Sequence, residues 1–302
     1  MIVVCGEALI DRIRTSDGAQ RATPGGGPFN TARALARLGV PTAFLGHLSE
    51  DQFGRELSEV LATDGVSMEL ASLGPEPTTV AIVEIDSRGV ATYRFEIDGT
   101  SAPNLTPDMT PISFAPEVKA LHIGTLGLVL QTMADTLVEL ARRERGRRLI
   151  MLDPNIRVGL VDDRNYGTRL ETSIATATIV KASDSDLAWI EPGTDYRVAA
   201  QHMLDRGVQM VAVTLGAHRD VRVHVAAPPV QVVDTIGAGD AFGAGLLGWL
   251  HHHDLLDPQL ELDEDQLQAA LEYACLTASL TCARAGADPP WKREVLRSPP
   301  SA

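Results

Sequence analysis

Cysteine is scarce in this 302-residue chain, with Cys5, Cys275 and Cys282 its only members. Three thiols so widely spaced make neither a disulfide framework nor a metal cluster, and they read as core or near-core thiols of a reducing compartment. Positive charge is also short: 26 Lys and Arg stand against 40 Asp and Glu, a formal net charge of −14. That balance argues against nucleic acid or an anionic membrane surface as the main partner, although a phosphate ligand needs only local donors. No apolar run reaches transmembrane length. The opening, Met1 to Glu7, has no basic n-region or signal-type apolar stretch, so the expectation is a cytoplasmic protein. Repeats and low-complexity segments are lacking. Neither a Gly-x-x-x-x-Gly-Lys-Ser/Thr P-loop nor a Gly-x-Gly-x-x-Gly fingerprint occurs, so any phosphate must be held by another device.

A hydrophobic content of 44% supports a sizeable core. The short, continuous apolar run Ile2–Cys5 suits a strand of a sheet covered on both faces, and Thr42–Gly46, Ala120–Gly124, Leu149–Leu152, Thr178–Lys181 and Val211–Gly216 read as further strands. Helices alternate with them. One runs Thr31–Leu38 and is closed by Gly39. A second begins at Glu50 and carries Phe53, Leu57, Val60 and Leu61 at helical spacing; a third carries Met133, Leu137, Val138 and Leu140 and ends in a basic run. Further helices are expected over Ala241–Leu250 and Leu271–Ala283, the latter closed by Gly286, with a frayed tail from Lys292. His122 alternates with apolar neighbours and reads as a satisfied buried histidine. His251, His252 and His253 are adjacent on a helix and share no face, which argues against a metal site. Thr79–Ile85 and Val90–Ile97 flank Asp86-Ser87-Arg88-Gly89 as a hairpin, with Tyr93, Phe95 and Ile97 on one face and Arg94 and Glu96 on the other. The pattern is one α/β domain with an inserted small sheet.

The most informative stretch is Asp234-Thr235-Ile236-Gly237-Ala238-Gly239-Asp240-Ala241-Phe242. It follows an apolar run, Val230 to Val233, and reads as strand, tight loop, helix. Gly237, Ala238 and Gly239 let backbone N–H groups face into the loop, where the helix dipole adds positive potential: an anion hole. A carboxylate beside such a hole, Asp240, makes sense as the base that takes a proton from an attacking hydroxyl. On the residues alone the alternative is a tight turn with a capping aspartate. Asp11 is either a surface carboxylate at a strand end or a ligand contact. Pro24-Gly25-Gly26-Gly27-Pro28-Phe29-Asn30 is either a flexible connector or a loop that a polyhydroxy ligand can approach closely.

The string at 234–242 resembles the second signature of the ribokinase-like carbohydrate kinases. Gly-Glu-x-x-x-Asp at 6–11, Gly-Gly…Asn at 25–30 and Asp-x-Asn-x-Arg at 153–157 precede it in the family order, and the resemblance spans about residues 1 to 290. It implies a Rossmann-like α/β/α sandwich (1–11, 24–76 and 104–302) with a β-sheet lid (12–23 and 77–103) whose outer face often makes a homodimer. It also implies transfer of the ATP γ-phosphoryl group to a sugar, with Mg²⁺ on the phosphates and K⁺ beside the anion hole through Asp234 and Ile236. By the same resemblance Asp240 is the base, and Asp11, Gly25, Gly26 and Asn30 orient the sugar. Phe95 packs on the sugar or in a small lid core, and Arg157 contacts substrate or phosphate or pairs with Asp153. Ser183 and Asp186 replace the family's Asn-x-x-Glu, which acts through water on the Mg²⁺ side. Thr214, Gly216 and Gly239 border the nucleotide; Arg219 stands where that loop usually ends in glycine, and Cys275 where asparagine is frequent. The Gly-Glu-x-x-x-Asp opening, the Pro-Gly-Gly-x-Pro loop and Tyr-x-Phe in the lid look most like fructokinases, with 2-keto-3-deoxygluconate kinase and then ribokinase as competitors. A non-catalytic sugar- or nucleotide-binding protein is the reading of another class, and aspartate at 240 argues against it.

Overall fold

The computed structural model describes residues 1–14, 20–85, 91–161, 165–215 and 225–297. In chain order its strands are β1 (Ile2–Cys5), β2 (Leu9–Arg14), β3 (Gln20–Gly25), β4 (Thr42–Leu45), β5 (His47–Ser49) and β6 (Ser72–Gly74), then β7 (Val80–Ile85), β8 (Ala91–Glu96), β9 (Ala120–Gly124), β10 (Leu149–Asp153), β11 (Ile179–Ser183) and β12 (Met210–Thr214). The helices are α1 (Gly27–Arg37), α2 (Gln52–Thr63), α3 (Met133–Glu144), α4 (Tyr166–Thr176), α5 (Asp184–Ile190), α6 (Tyr196–Asp205), α7 (Ala238–His252), α8 (Glu264–Cys282) and α9 (Lys292–Val295).

Six strands form a parallel sheet in the order β12-β11-β10-β9-β1-β4. Residues alternate across it because the side-chain period of a strand is two. Val3 and Cys5 of β1 join one apolar cluster with Leu137 of α3, Leu170 of α4 and Ala199 of α6. Ile2 and Val4 join another with Leu35 of α1, Leu57 of α2, Leu246 of α7 and Ala274 of α8. Both faces are thus covered, which is why these strands are written as unbroken apolar runs. Burying a side chain such as Leu35 or Leu57 stabilises the fold by about 1.5–3 kcal/mol.

A second, four-stranded sheet runs β3-β2-β7-β8. Its β2–β3 and β7–β8 pairs are antiparallel, and β2 lies parallel to β7 between them. Thr23, Asp11, Ala81 and Phe95 stand directly opposite one another across the four strands and so share a face. Arg94 and Glu96 take the other face, 3.6 Å apart, with the Arg94 side chain 69% exposed. The hairpin turn expected at Asp86-Ser87-Arg88-Gly89 lies outside the described residues, as do Gly216, Arg219 and the side chain of Tyr93.

Several expectations from the sequence are corrected. Helix α1 starts at Gly27, with Pro28 in its first turn, and so includes Asn30. Helix α8 begins at Glu264, behind an Asp263–Gln266 capping box. The run Val230–Val233 is not a strand: Val233 donates its N–H to the Cys282 carbonyl at the end of α8, and Val232 and Val233 are exposed. Residues 292–297 are not frayed, since α9 buries Val295 and Glu294 pairs with Arg284 at 2.6 Å, while Pro299 and Pro300 lie outside the described residues. His122 is buried but unsatisfied, with neither ring nitrogen finding a partner; burial and then the nearby Lys181 charge hold it neutral, down to about 3.

Candidate active site

The carboxyl ends of the parallel strands converge on the start of α7. Register sets Asp153 of β10 opposite Gly124 of β9, and Lys181 of the neighbouring β11 donates to Asp153 Oδ2 at 2.9 Å. Helix α7 enters above them through Gly237, whose φ of 76° is left-handed. A methyl group on Gly237 would also sit 2.7 Å from Ala287 Cβ, so both backbone and space demand glycine there. Glycine offers no side-chain cap, and the first amides of a helix have no partner within it. Ala238 N–H is taken by the Thr235 carbonyl at 3.2 Å, which leaves Gly239 and Asp240 to supply the amides of the first turn.

Asp240 is the third residue of α7 and does not cap it. Its side chain points across to α1, where Asn30 Nδ2 donates to Oδ2 at 2.9 Å. The other oxygen, Oδ1, lies 3.4 Å from the place a Cβ on Gly27 would occupy. Asp240 is 8% exposed. Burial first, and the Asp153 carboxylate second, push it up to about 6 against the Asn30 bond and the Lys181 and Arg157 charges. A carboxyl group so placed holds and releases a proton near neutrality.

The cation beneath this helix start was not singled out in the sequence. Lys181 is 5% exposed, and its Nζ lies 2.9 Å from where a Gly239 Cβ would be. Burial alone would lower its affinity for the proton; the carboxylates of Asp153, Asp240 and Asp186 more than reverse that and keep the ammonium charged. A lysine inside the apolar run of β11 was the available signal. Asp153 Oδ1 is buried and has no hydrogen-bond partner. Asp153 therefore pairs with Lys181 and not with Arg157, which is exposed and in no ion pair among the described residues.

The structure brings most of the other expected residues to the same place. Asp11, on β2, leans against Gly25 so closely that a Cβ there would collide with its carboxylate. Burial pushes Asp11 up to about 6, opposed by the Arg157 charge. Phe95, in the same cross-sheet row, packs against the core cluster that includes Leu9 and Leu126. Gly26 adjoins the backbone of Glu7. Asn155, at φ 39°, donates to Thr125 Oγ1 at 3.3 Å, and that hydroxyl abuts Gly27. Ser183 caps α5 in a capping box with Asp186, whose carboxylate accepts from Ser183 N and Ile156 N, both at 2.8 Å, and from Ser183 Oγ at 2.7 Å. Thr214 ends β12 beside them and donates weakly to the Ala182 carbonyl at 3.5 Å. Farther round, Asp234 accepts N–H bonds from Ile236 at 3.0 Å and Gly286 at 2.9 Å, tying the loop before α7 to the loop after α8. The run His251–His253 makes no metal cluster among the described residues.

Such a constellation can hold an anion at a helix start, a hydroxyl beside a buried carboxylate, and little water between them. The chain is 38% identical over 281 residues to a fructokinase of Rhizobium leguminosarum bv. trifolii, across 89% of this chain and 86% of the relative. It is 32% identical to a fructokinase of Klebsiella pneumoniae across 98% of both. The crystal structure of a fructokinase with bound ATP from Xylella fastidiosa superposes with a TM-score of 0.87 at 25% identity, covering 98% of this chain and 96% of that one. No helix among the described residues is long and apolar enough to cross a membrane. The family model of pfkB carbohydrate kinases matches residues 1–293, and with a six-stranded parallel sheet, a second small sheet and Asp240 at the start of α7, the chain belongs to that family of ATP-dependent sugar kinases.

Proposed function

We propose that this kinase transfers the γ-phosphoryl group of ATP to the 6-hydroxyl of D-fructose. The observation that carries the reading is the buried Asp240 carboxylate, held by Asn30 Nδ2 in the uncapped first turn of α7. Asp240 takes the hydroxyl proton while the sugar oxygen bonds to the γ-phosphorus and the bond to the bridging β–γ oxygen breaks, so that ADP leaves. Charge accumulating on the phosphoryl oxygens is met by the Gly239 and Asp240 amides, by the helix dipole at the Gly237-Ala238-Gly239 turn and by Lys181, preorganised and shielded from water. Asp11, Gly25, Gly26 and Asn30 orient the sugar, Phe95 packs beside it, and Arg157 closes on the reacting end. The four-stranded sheet acts as the lid that excludes water, and its outer face is the surface for a homodimer. Thr214, Gly216 and Ser183 border the nucleotide.

Mg²⁺ bound with ATP would neutralise charge between the β- and γ-phosphoryl oxygens. The donor set suits a hydrated divalent ion: Asp153 Oδ1 lacks a partner, and Asp186 stands beside it. Asp186 already accepts three hydrogen bonds, so it acts on the ion through water. K⁺ suits the loop of Asp234 and Ile236, where each carboxylate oxygen accepts one N–H and keeps lone-pair capacity.

Fructose ranks first because the similar curated relatives are fructokinases and because Arg94, which could hold the carboxylate of an acid sugar, faces away from the Asp11–Phe95 row. The test is ADP release from Mg·ATP with fructose, ribose and 2-keto-3-deoxygluconate, with and without K⁺. Fructose should give the strongest response, and Asp240→Asn should reduce its turnover by roughly 10²–10⁴ with ATP binding intact. Full activity in that variant refutes the mechanism, and a preference for the keto-acid replaces fructose as substrate.

A further inference from the structure

Glu7 follows the apolar strand β1 directly, yet it is only 1% exposed. Burial pushes a carboxyl group in that position up to about 8, and it is costly there unless its oxygens are satisfied. Both are. Oε1 accepts the N–H of Gly27 at 3.2 Å, and Oε2 accepts the N–H of Gly127 at 3.1 Å. These two amides belong to different walls of the site. Gly27 opens α1 and is one turn before Asn30, which holds Asp240 Oδ2. Gly127 lies in the short helical turn Thr125–Leu128 that follows β9. The walls meet where Gly27 abuts Thr125 Oγ1, and there is no room at Gly27 for even a methyl group. A single carboxylate therefore clamps the start of α1 to the end of β9, and what it clamps is the backbone against which Asp240 Oδ1 rests.

We propose that Glu7 is a positioning residue for phosphoryl transfer, holding the start of α1 so that Asn30 aims Asp240 at the acceptor hydroxyl; this rests on the kinase reading above. The clamp needs two acceptors. Glutamine has one carbonyl oxygen, and its NH₂ group would face an N–H, donor against donor. Aspartate keeps both acceptors but is one methylene too short to reach both amides. Neither change touches substrate. Their effect is expected to travel through α1 to Asn30, which shares the first turn of that helix with Gly27.

The experiment is a double-mutant cycle on the full chain, Glu7→Gln with Asn30→Ala, reading kcat, the KM of sugar and ATP, ATP affinity by calorimetry and Tm. Glu7→Gln is expected to lower kcat by roughly 10- to 100-fold with ATP affinity within about twofold, since misplacement near 1 Å costs on the order of 10²-fold. In the Asn30→Ala background the same change is expected to cost less than about threefold, because the contact it supports is gone. Losses that multiply, or an unchanged kcat in Glu7→Gln, overturn the proposal. Should Glu7→Gln not fold, Glu7→Asp gives the same cycle with the carboxyl group retained. If the wild-type chain phosphorylates no sugar, the kinase reading fails and Glu7 with it; if it phosphorylates one but the losses multiply, Glu7 alone fails.

Discussion

Lys181→Met removes the one buried cation beneath the start of α7 and separates two roles for it. In the native fold Nζ donates to Asp153 Oδ2 at 2.9 Å, with both side chains buried. Without the ammonium, Asp153 becomes an unpaired carboxylate in the interior, a loss of about 3–5 kcal/mol. The Tm should fall by roughly 5–15 °C, since 1 kcal/mol moves a chain of this size by a few degrees. Adding Asp153→Asn removes the orphaned charge, and stability should return to within about 2 kcal/mol of wild type, as isosteric replacement of buried pairs usually allows. Activity should not return. Lys181 Nζ also stands 2.9 Å from the Cβ position of Gly239, at the proposed seat of the transferred phosphoryl group. A unit charge about 4 Å from a developing charge is worth about 4 kcal/mol at an effective dielectric of 20, in line with the 10²–10³-fold loss when one preorganised donor is removed. The double variant should therefore melt nearly normally yet turn over roughly 10²–10³ times more slowly than Asp153→Asn alone, which carries the change at the Mg²⁺ donor, in an ADP-release assay at saturating fructose and ATP. A kcat within threefold of that single variant would show that Lys181 does no more than neutralise Asp153.

The pH–rate profile should fall on its acid side with an apparent pKa near 6, because Asp240 must be unprotonated to act as base and burial holds it up to about 6; a flat profile down to pH 5 removes it from that role. Stability runs the other way. A folded pKa above the unfolded 3.8 means that protonated Asp240 favours the fold, a contribution full below pH 3.8 and lost as the pH rises through about 6, so Asp240→Asn should lessen the fall of the denaturant midpoint across that window, the part owed to Asp11 remaining. Gly27→Ala should lower kcat at least about tenfold with ATP affinity preserved in calorimetry, since its methyl group would strike Thr125 Oγ1 and crowd Asp240 Oδ1, and misplacement near 1 Å is costly. Arg94→Ala should leave the fructose KM within about twofold, as expected for an exposed surface change; a large rise would place Arg94 on the substrate and weaken the preference for fructose over an acid sugar.

The fold was legible because its strands are buried on both faces. Runs such as Ile2–Cys5 and Leu149–Leu152 are continuous and apolar because helices cover the sheet on both faces. Phe95 and Arg94 were legible from period-two alternation alone, and the register across β7 and β8 places them on opposite faces. Errors arose where tertiary contacts override local preference. Gly-Pro at 27–28 looks like loop, yet the Glu7 carboxylate on the Gly27 amide lets α1 begin there. The run Val230–Val233 has strand composition, but its backbone bonds go to the end of α8, and composition says nothing of where a partner will be.

The site was legible by half for a related reason. Asp240, Asn30 and Asp11 lie in motifs whose glycines bring backbone close to a ligand, and that arrangement is local in sequence. Lys181 and Glu7 act across it. Lys181 is a charged residue in a strand that ought to be apolar, and its sense depends on Asp153, 28 residues away, and on α7, more than 50 residues on. Glu7 looks like the polar end of a strand until its two oxygens are found on amides 20 and 120 residues distant. Buried charge in an apolar run is costly and persists only where something compensates it. Such a residue signals in sequence that a partner exists without saying which one. In this chain both exceptions border the same carboxylate, Asp240, which ties the cost of burying them to the catalytic geometry they support.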